Sequence, residues 1–175
     1  MKKLLTIVLA VALVFFASNA MAAGTVSEGS ATTYYNAATG KPAVIEVTFT
    51  CTADAGDGTY PATAMSAALT AKVKGWVLDE VRIDGNHAGT EPTEDSDLYL
   101  YRSYNTSPGD FDVLGGNGVD QVDNTASRVV VPASAGQNKW AYVSTPLTLY
   151  IVQAAVVTNS AVVYVTLVFV NPYAN

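Results

Sequence analysis

The sequence predicts an all-β protein, an antiparallel β-sandwich of jelly-roll or immunoglobulin-like type with about seven to nine strands. Three observations lead there. Apolar residues alternate at period two, the alternating runs are short and rich in β-branched and aromatic residues, and clusters of Gly, Pro, Asn, Asp and Ser separate them.

The 175-residue chain opens MKKLLTIVLAVALVFFASNAMA, in which Lys2 and Lys3 precede an uncharged apolar run from Leu4 to Phe16. Ala20 and Ala22 then occupy the small-residue positions of an A-x-A site. Residues 1–22 therefore read as a Sec signal peptide, with cleavage expected after Ala22. The apolar run is shorter than the roughly 20 residues of a spanning helix. Lipid attachment needs a cysteine at the cleavage point, and the only cysteine is Cys51. The mature chain is thus expected to be exported, periplasmic or extracellular, with no membrane association after cleavage.

Cleavage leaves 153 residues, a length expected to form one domain that buries roughly two-thirds of its unfolded surface. Residues 23–42 are small and polar without a sustained period and read as a flexible N-terminal arm, so the sandwich is expected over 43–175. Its first strand places Ile45, Val47, Phe49 and Cys51 on one face and Glu46, Thr48 and Thr50 on the other, and the thiol ends that apolar row as a buried, inert group. After the turn TADAGDGTYP comes a second alternation, Met65, Ala67, Leu69, Ala71 and Val73, for which an alanine-rich helix is the competing reading. WVLDEVRI is a strand whose apolar parity changes near Asp79 and Glu80, the mark of a bulge.

The acidic loop GNHAGTEPTEDSD leads into LYLYRSY, where Leu98 and Leu100 alternate with Tyr99 and Tyr101. Short strands are expected at FDVL, SRVVVP and KWAYV. LTLYIVQAAVV and AVVYVTLVFV close the chain and suit a hairpin through Thr158, Asn159 and Ser160. The last strand has a second apolar face in Val162, Tyr164, Val168 and Val170, interrupted by Thr166. A surface strand needs one polar face, so either the arm or a neighbouring subunit covers this one, and self-association through these four residues, in a homo-oligomer or larger assembly, is the expectation.

Charge narrows the partners. Nine basic residues face fifteen acidic ones, and loss of Lys2 and Lys3 moves the net charge from -6 to -8. Nucleic acid is excluded as a partner, because phosphate affinity needs clustered basic residues. One histidine, His87, rules out a two-histidine zinc centre within one chain, and no G-x-S-x-G elbow accompanies it. The reading is non-enzymatic.

One stretch poses a metal question. Gly115 to Asp123 fits the calcium nonapeptide G-G-x-G-x-D-x-U-x, with Asp112, Asp120 and Asp123 as candidate ligands. Such sites work as stacks of about three or more repeats, and a single copy between two strand-like segments reads as a turn. Glu91, Glu94, Asp95 and Asp97, and the pair Asp54 and Asp57, raise the same question in other loops. No cofactor is expected.

The turn motifs, in order, are Thr52, Asp54, Ala55 and Gly56; Gly75 and Val81; Pro92, Thr93, Asp97, Leu98 and Leu100; Asp112, Leu114, Gly115 and Gly116; and Pro146 through Leu149. Over roughly residues 43 to 170 this series resembles small β-sandwich proteins encoded among the structural genes of tailed bacteriophages. The resemblance implies a structural or surface-display role in a virion or surface assembly and carries no catalytic residues. Two features depart from it: the signal peptide, and Ser103 to Asp110, which has the look of an insertion.

Carbohydrate binding, as in an adhesin module, is the alternative. Tyrosines suit sugar rings because a flat apolar face adjoins a polar edge, and Tyr99, Tyr101 and Tyr104 are the first candidates, with Tyr34, Tyr35, Tyr60, Trp140 and Tyr142 in support. A calcium-dependent hydrolase is the third reading.

Overall fold

Alternating strands bury one face only when a second layer covers it. In the computed structural model that layer is a second antiparallel sheet. The structure describes residues 23–85, 89–102, 112–133, 141–153 and 157–174. These form β1 (Thr25–Glu28), β2 (Thr32–Tyr35), β3 (Pro42–Thr52), β4 (Thr63–Ala64), α1 (Ala67–Val73), β5 (Val77–Asp84), β6 (Asp97–Tyr101), β7 (Arg128–Val130), β8 (Ala141–Tyr142), β9 (Thr148–Val152) and β10 (Val162–Val170).

The larger sheet runs β1-β3-β10-β5-β7, with β2 also on β3 and β8 also on β5, and the smaller runs β4-β9-β6. β1 and β2 lie end to end along β3, as β7 and β8 do along β5. The strands therefore occupy five ribbons in one sheet and three in the other, within the expected range.

The alternation places the core as read. Ile45, Val47, Phe49 and Cys51 of β3 and Val163, Val165, Leu167 and Phe169 of β10 join Val81 and Ile83 of β5 against Leu98, Leu100, Leu149 and Ile151 of the smaller sheet. Full burial of each such side chain contributes about 1.5–3 kcal/mol before entropy is counted. The Cys51 thiol is free and fully buried, and desolvation pushes its pKa up to about 12. Trp76 packs half-buried against the same core.

Four expectations change. The segment read as a flexible arm is instead the edge of the larger sheet: Thr25 to Glu28 pair with Thr52 to Phe49, and Thr32 to Tyr35 pair with Glu46 to Pro42. It carries few apolar residues because its backbone, with Val26 and Ala31 alone packed on the core, makes the attachment. The alternation at Met65 to Val73 is the helix α1. Leu69 and Val73 are its buried residues, a four-residue spacing that both periods allow, so alanine propensity and the cap decide. The Ser66 side chain accepts from the Leu69 amide (3.1 Å), while Glu28 of β1 accepts from the Ser66 amide (2.8 Å) and hydroxyl (2.6 Å).

The third change concerns FDVL. Asp112 makes only an isolated bridge to Tyr101 and turns follow to Asp120, because side-chain capping and glycine replace a ladder there. The fourth concerns the expected C-terminal hairpin. β9 sits between β4 and β6, whereas β10 lies between β3 and β5, so the chain crosses from one sheet to the other between them. A strand apolar on both faces belongs at the centre of a sheet, and β10 takes that place.

The bulge appears where parity changes: Val168 pairs with Glu80 and Phe169 with Leu78, leaving Asp79 unpaired on β5. The outer face of β10 also has a cover that the sequence reading did not consider. Val168 is only 4% exposed and lies between Glu46 of β3 and Glu80 of β5. Arg82 bonds both carboxylates, Glu46 at 3.0 Å and Glu80 at 2.6 Å, and so spans the valine. The arginine stem shields apolar surface while its head stays in water. Val162, Tyr164 and Val170 are half-buried, and Thr166 bonds Thr48 at 2.8 Å.

Candidate functional site

The glycine-rich stretch lies along the free edge of β6. Ser96 and Val122 exchange backbone bonds (3.2 and 2.9 Å), the Leu98 amide donates to Gly118 (2.9 Å) and the Val113 amide to Leu100 (2.8 Å). Asp112 completes the clasp. Its Oδ1 accepts from the amides of Leu100 (3.2 Å) and Leu114 (3.1 Å), and its Oδ2 from Gly116 (3.0 Å). Asp97 accepts from the Asp120 amide at 2.9 Å and the Tyr99 hydroxyl at 3.0 Å. The glycines are needed for close approach: a Cβ at Gly118 would overlap the Leu98 carbonyl oxygen, and one at Gly115 the Ala133 carbonyl oxygen. An open strand edge is a template for another chain, and here the nonapeptide-like segment covers it.

The three candidate calcium ligands have different partners. Asp112 holds backbone amides, Asp120 is exposed at a positive φ of 55°, and Asp123 bonds Thr125 and Arg128. Among the described residues no group of three or more His, Cys, Asp or Glu is placed to hold a metal ion. Because Asp112 and Asp123 are already engaged by amides, Thr125 and Arg128, thermal unfolding with excess chelator and with added calcium should give coincident midpoints, and a chelator-induced drop of several degrees would restore an ion at this turn.

Asp123 is buried. Its Oδ1 accepts from the Thr125 amide and hydroxyl, both at 2.6 Å, and its Oδ2 pairs with Arg128. The Thr125 bonds, then Arg128, hold its carboxyl well below the usual carboxylate range. A folded pKa below the unfolded one stabilises above the unfolded value, about 3.9, and that stability is lost as pH falls further. Asp123→Asn should thus lower stability at neutral pH and flatten its fall in acid. Equal slopes for both proteins in denaturant titrations from neutral pH into acid would contradict the assignment.

On the outer face of the smaller sheet, Tyr99 stands opposite Tyr150 and Tyr101 opposite Thr148. Tyr99 and Tyr101 stack with centroids 5.8 Å apart and planes 6° from parallel, and Tyr150 lies 6.4 Å from each. Burial, then the bond to Asp97, raises the Tyr99 hydroxyl to about 12. Tyr101 is only 6% exposed, which leaves Tyr99 and Tyr150 as the half-open rings. Sequence reasoning paired Tyr99 with Tyr101 but missed Tyr150. Its alternation with Leu149 and Ile151 was the available signal, once β9 is known to pair with β6. Tyr60 is a core residue, Tyr34, Tyr35 and Tyr142 belong to the larger sheet, and Tyr104, Trp140 and His87 lie outside the described residues.

Asp54 and Asp57 are turn clasps too. Asp54 accepts from the amides of Gly56 (2.6 Å) and Asp57 (3.1 Å), and Asp57 from the amide and hydroxyl of Thr59 (3.0 and 2.7 Å). Gln153 fastens neighbouring loops, donating to the carbonyls of Gly58 and Thr158 and accepting from Thr93 and Thr158. Among the described residues no helix is long and apolar enough to cross a membrane. Comparison with protein-family models, curated proteins and solved structures finds no match to this chain.

Proposed function

We propose that the chain is an exported structural or surface-display protein without catalytic activity, in keeping with its resemblance to the sandwich proteins of phage structural genes. One observation carries the reading. Asp54, Asp57, Asp97, Asp112 and Asp123, five of the carboxylates considered for a hydrolytic or metal site, accept bonds that fix the loops. Loops fastened this way suit a scaffold that presents a surface.

The test is expression of the full chain in a bacterial host, with mass spectrometry of the exported material and protease shaving of intact cells or particles. The expected result is an N-terminus at Ala23 and accessible protein at the surface. An exported protein retaining Met1, or turnover of ester or glycoside substrates by the purified domain, would overturn the proposal.

The tyrosine group favours carbohydrate binding as the second reading. Glycan-array binding abolished by Tyr99→Ala with Tyr101→Ala would establish it. Binding to no glycan, or binding untouched by that pair, would remove it.

A further inference from the structure

The bulge on β5 has a partner feature on the outer face of the larger sheet. Registers align Tyr34 with Val44, Val44 with Val170, Val170 with Val77, and Val77 with Tyr142, giving one row across five strands. Tyr34 and Tyr142 at its ends are 49% and 47% exposed. Neighbouring strands lie about 4.8 Å apart, so the row spans roughly 19 Å. At its middle a hollow of about 80 Å³ is lined by Val77, Asp79, Val170 and Pro172. Three of these walls are apolar. The fourth is the residue that the bulge leaves unpaired on the ladder, and bulges commonly re-aim a side chain in this way.

Asp79 is exposed, and among the described residues its carboxylate has no hydrogen-bond or ion-pair partner. Arg82, the cation nearest in sequence, is held by Glu46 and Glu80. An apolar hollow with a lone carboxylate at its rim matches an aliphatic stem ending in a cation, and the net charge of -8 over residues 23–175 draws cations toward the domain. Neutral sugars would satisfy the walls and leave the charge unmatched. Aromatic rings at the two ends of the row add sites for further side chains of a longer ligand, and an extended chain rising about 3.3 Å per residue crosses the row in about six residues.

We propose that this row is a docking surface for an extended basic segment of a partner protein, with one lysine side chain in the hollow and its ammonium on Asp79. The site lies on the opposite sheet from Tyr99 and Tyr150 and does not depend on the display reading, because it can be tested on the isolated chain.

The experiment is an amide-resolved NMR titration of the purified protein. The probe is an acetylated, amidated pentapeptide with one central lysine, and the controls are the same peptide with norleucine in its place, butylammonium and a neutral maltooligosaccharide. Saturable shifts at Val77 to Glu80 and at Val170 and Asn171, lost with norleucine, are expected. Asp79→Asn should weaken binding about twofold to fivefold, as loss of an exposed ion pair does, while leaving the rest of the spectrum unchanged. No saturable shift at millimolar peptide would overturn the proposal, as would equal binding by the norleucine peptide or by Asp79→Asn. Butylammonium binding as tightly as the peptide would make the hollow a small-amine site, and shifts with the oligosaccharide alone would make it a sugar site. Either outcome rejects the partner segment.

Discussion

Alanine at Gly115 should cost the domain about 2–5 kcal/mol. Two terms add. The residue holds φ +60°, a left-handed conformation that costs an L side chain about 1–2 kcal/mol. The new Cβ also overlaps the Ala133 carbonyl oxygen, and overpacking of that kind costs about 1–3 kcal/mol more. Against a total stability of about 5–15 kcal/mol the loss is large. Gly116 separates the terms, since its φ is +84° but nothing lies within 4 Å of an added Cβ. Gly116→Ala should therefore lose the backbone term alone. Urea unfolding measures both, and equal losses for the two variants would show that the segment is not packed against residue 133.

Phe169→Ala should cost about 3–5 kcal/mol, the range for removing a fully buried aromatic ring. Phe169 is completely buried on the central strand, opposite Ile45 on one side and Leu78 on the other. Both neighbouring strands are long and paired along their length, so little can collapse into the space. Its neighbour Val170 is half-buried on the opposite face, and Val170→Ala should lose far less. A loss below about 1 kcal/mol for Phe169→Ala, against the range for such truncations, would mean that β10 is not the middle of the core.

Period-two alternation was enough to place Ile45 to Cys51, Leu98, Leu100 and Val163 to Phe169 in the core, because side chains on a strand have only two directions. Parity alone also located the bulge at Asp79. The helix at Ala67 to Val73 was ambiguous for a physical reason: residues four apart share a face in both a helix and a strand. Sheet membership was not legible at all. β9 and β10 carry equally good patterns and a good turn between them, yet each is flanked by strands of a different sheet, and those partners lie far away in sequence.

The same limit applies to the candidate site. Gly115 and Gly118 mark close approach, but the carbonyls they approach belong to Ala133 and Leu98, and nothing local names those partners. Asp112 could be recognised as a turn residue, while its bond to the Leu100 amide required the fold. Tyr99 and Tyr101 were found because they are two apart on one strand. Tyr150 reaches them only through the ladder between β6 and β9.

The Cys51 thiol links the lifetime of the protein to how often its larger sheet opens. Folded, the sulfur is out of reach and, with its pKa raised to about 12, almost never a thiolate. Opened, it becomes an ordinary exposed thiol with no second cysteine in the chain to close on. In an oxidising compartment two opened molecules would join through that sulfur, and the covalent pair could not refold around it. Each opening there is thus a chance of permanent loss, and because two opened molecules must meet, the loss rises with the square of the opened population.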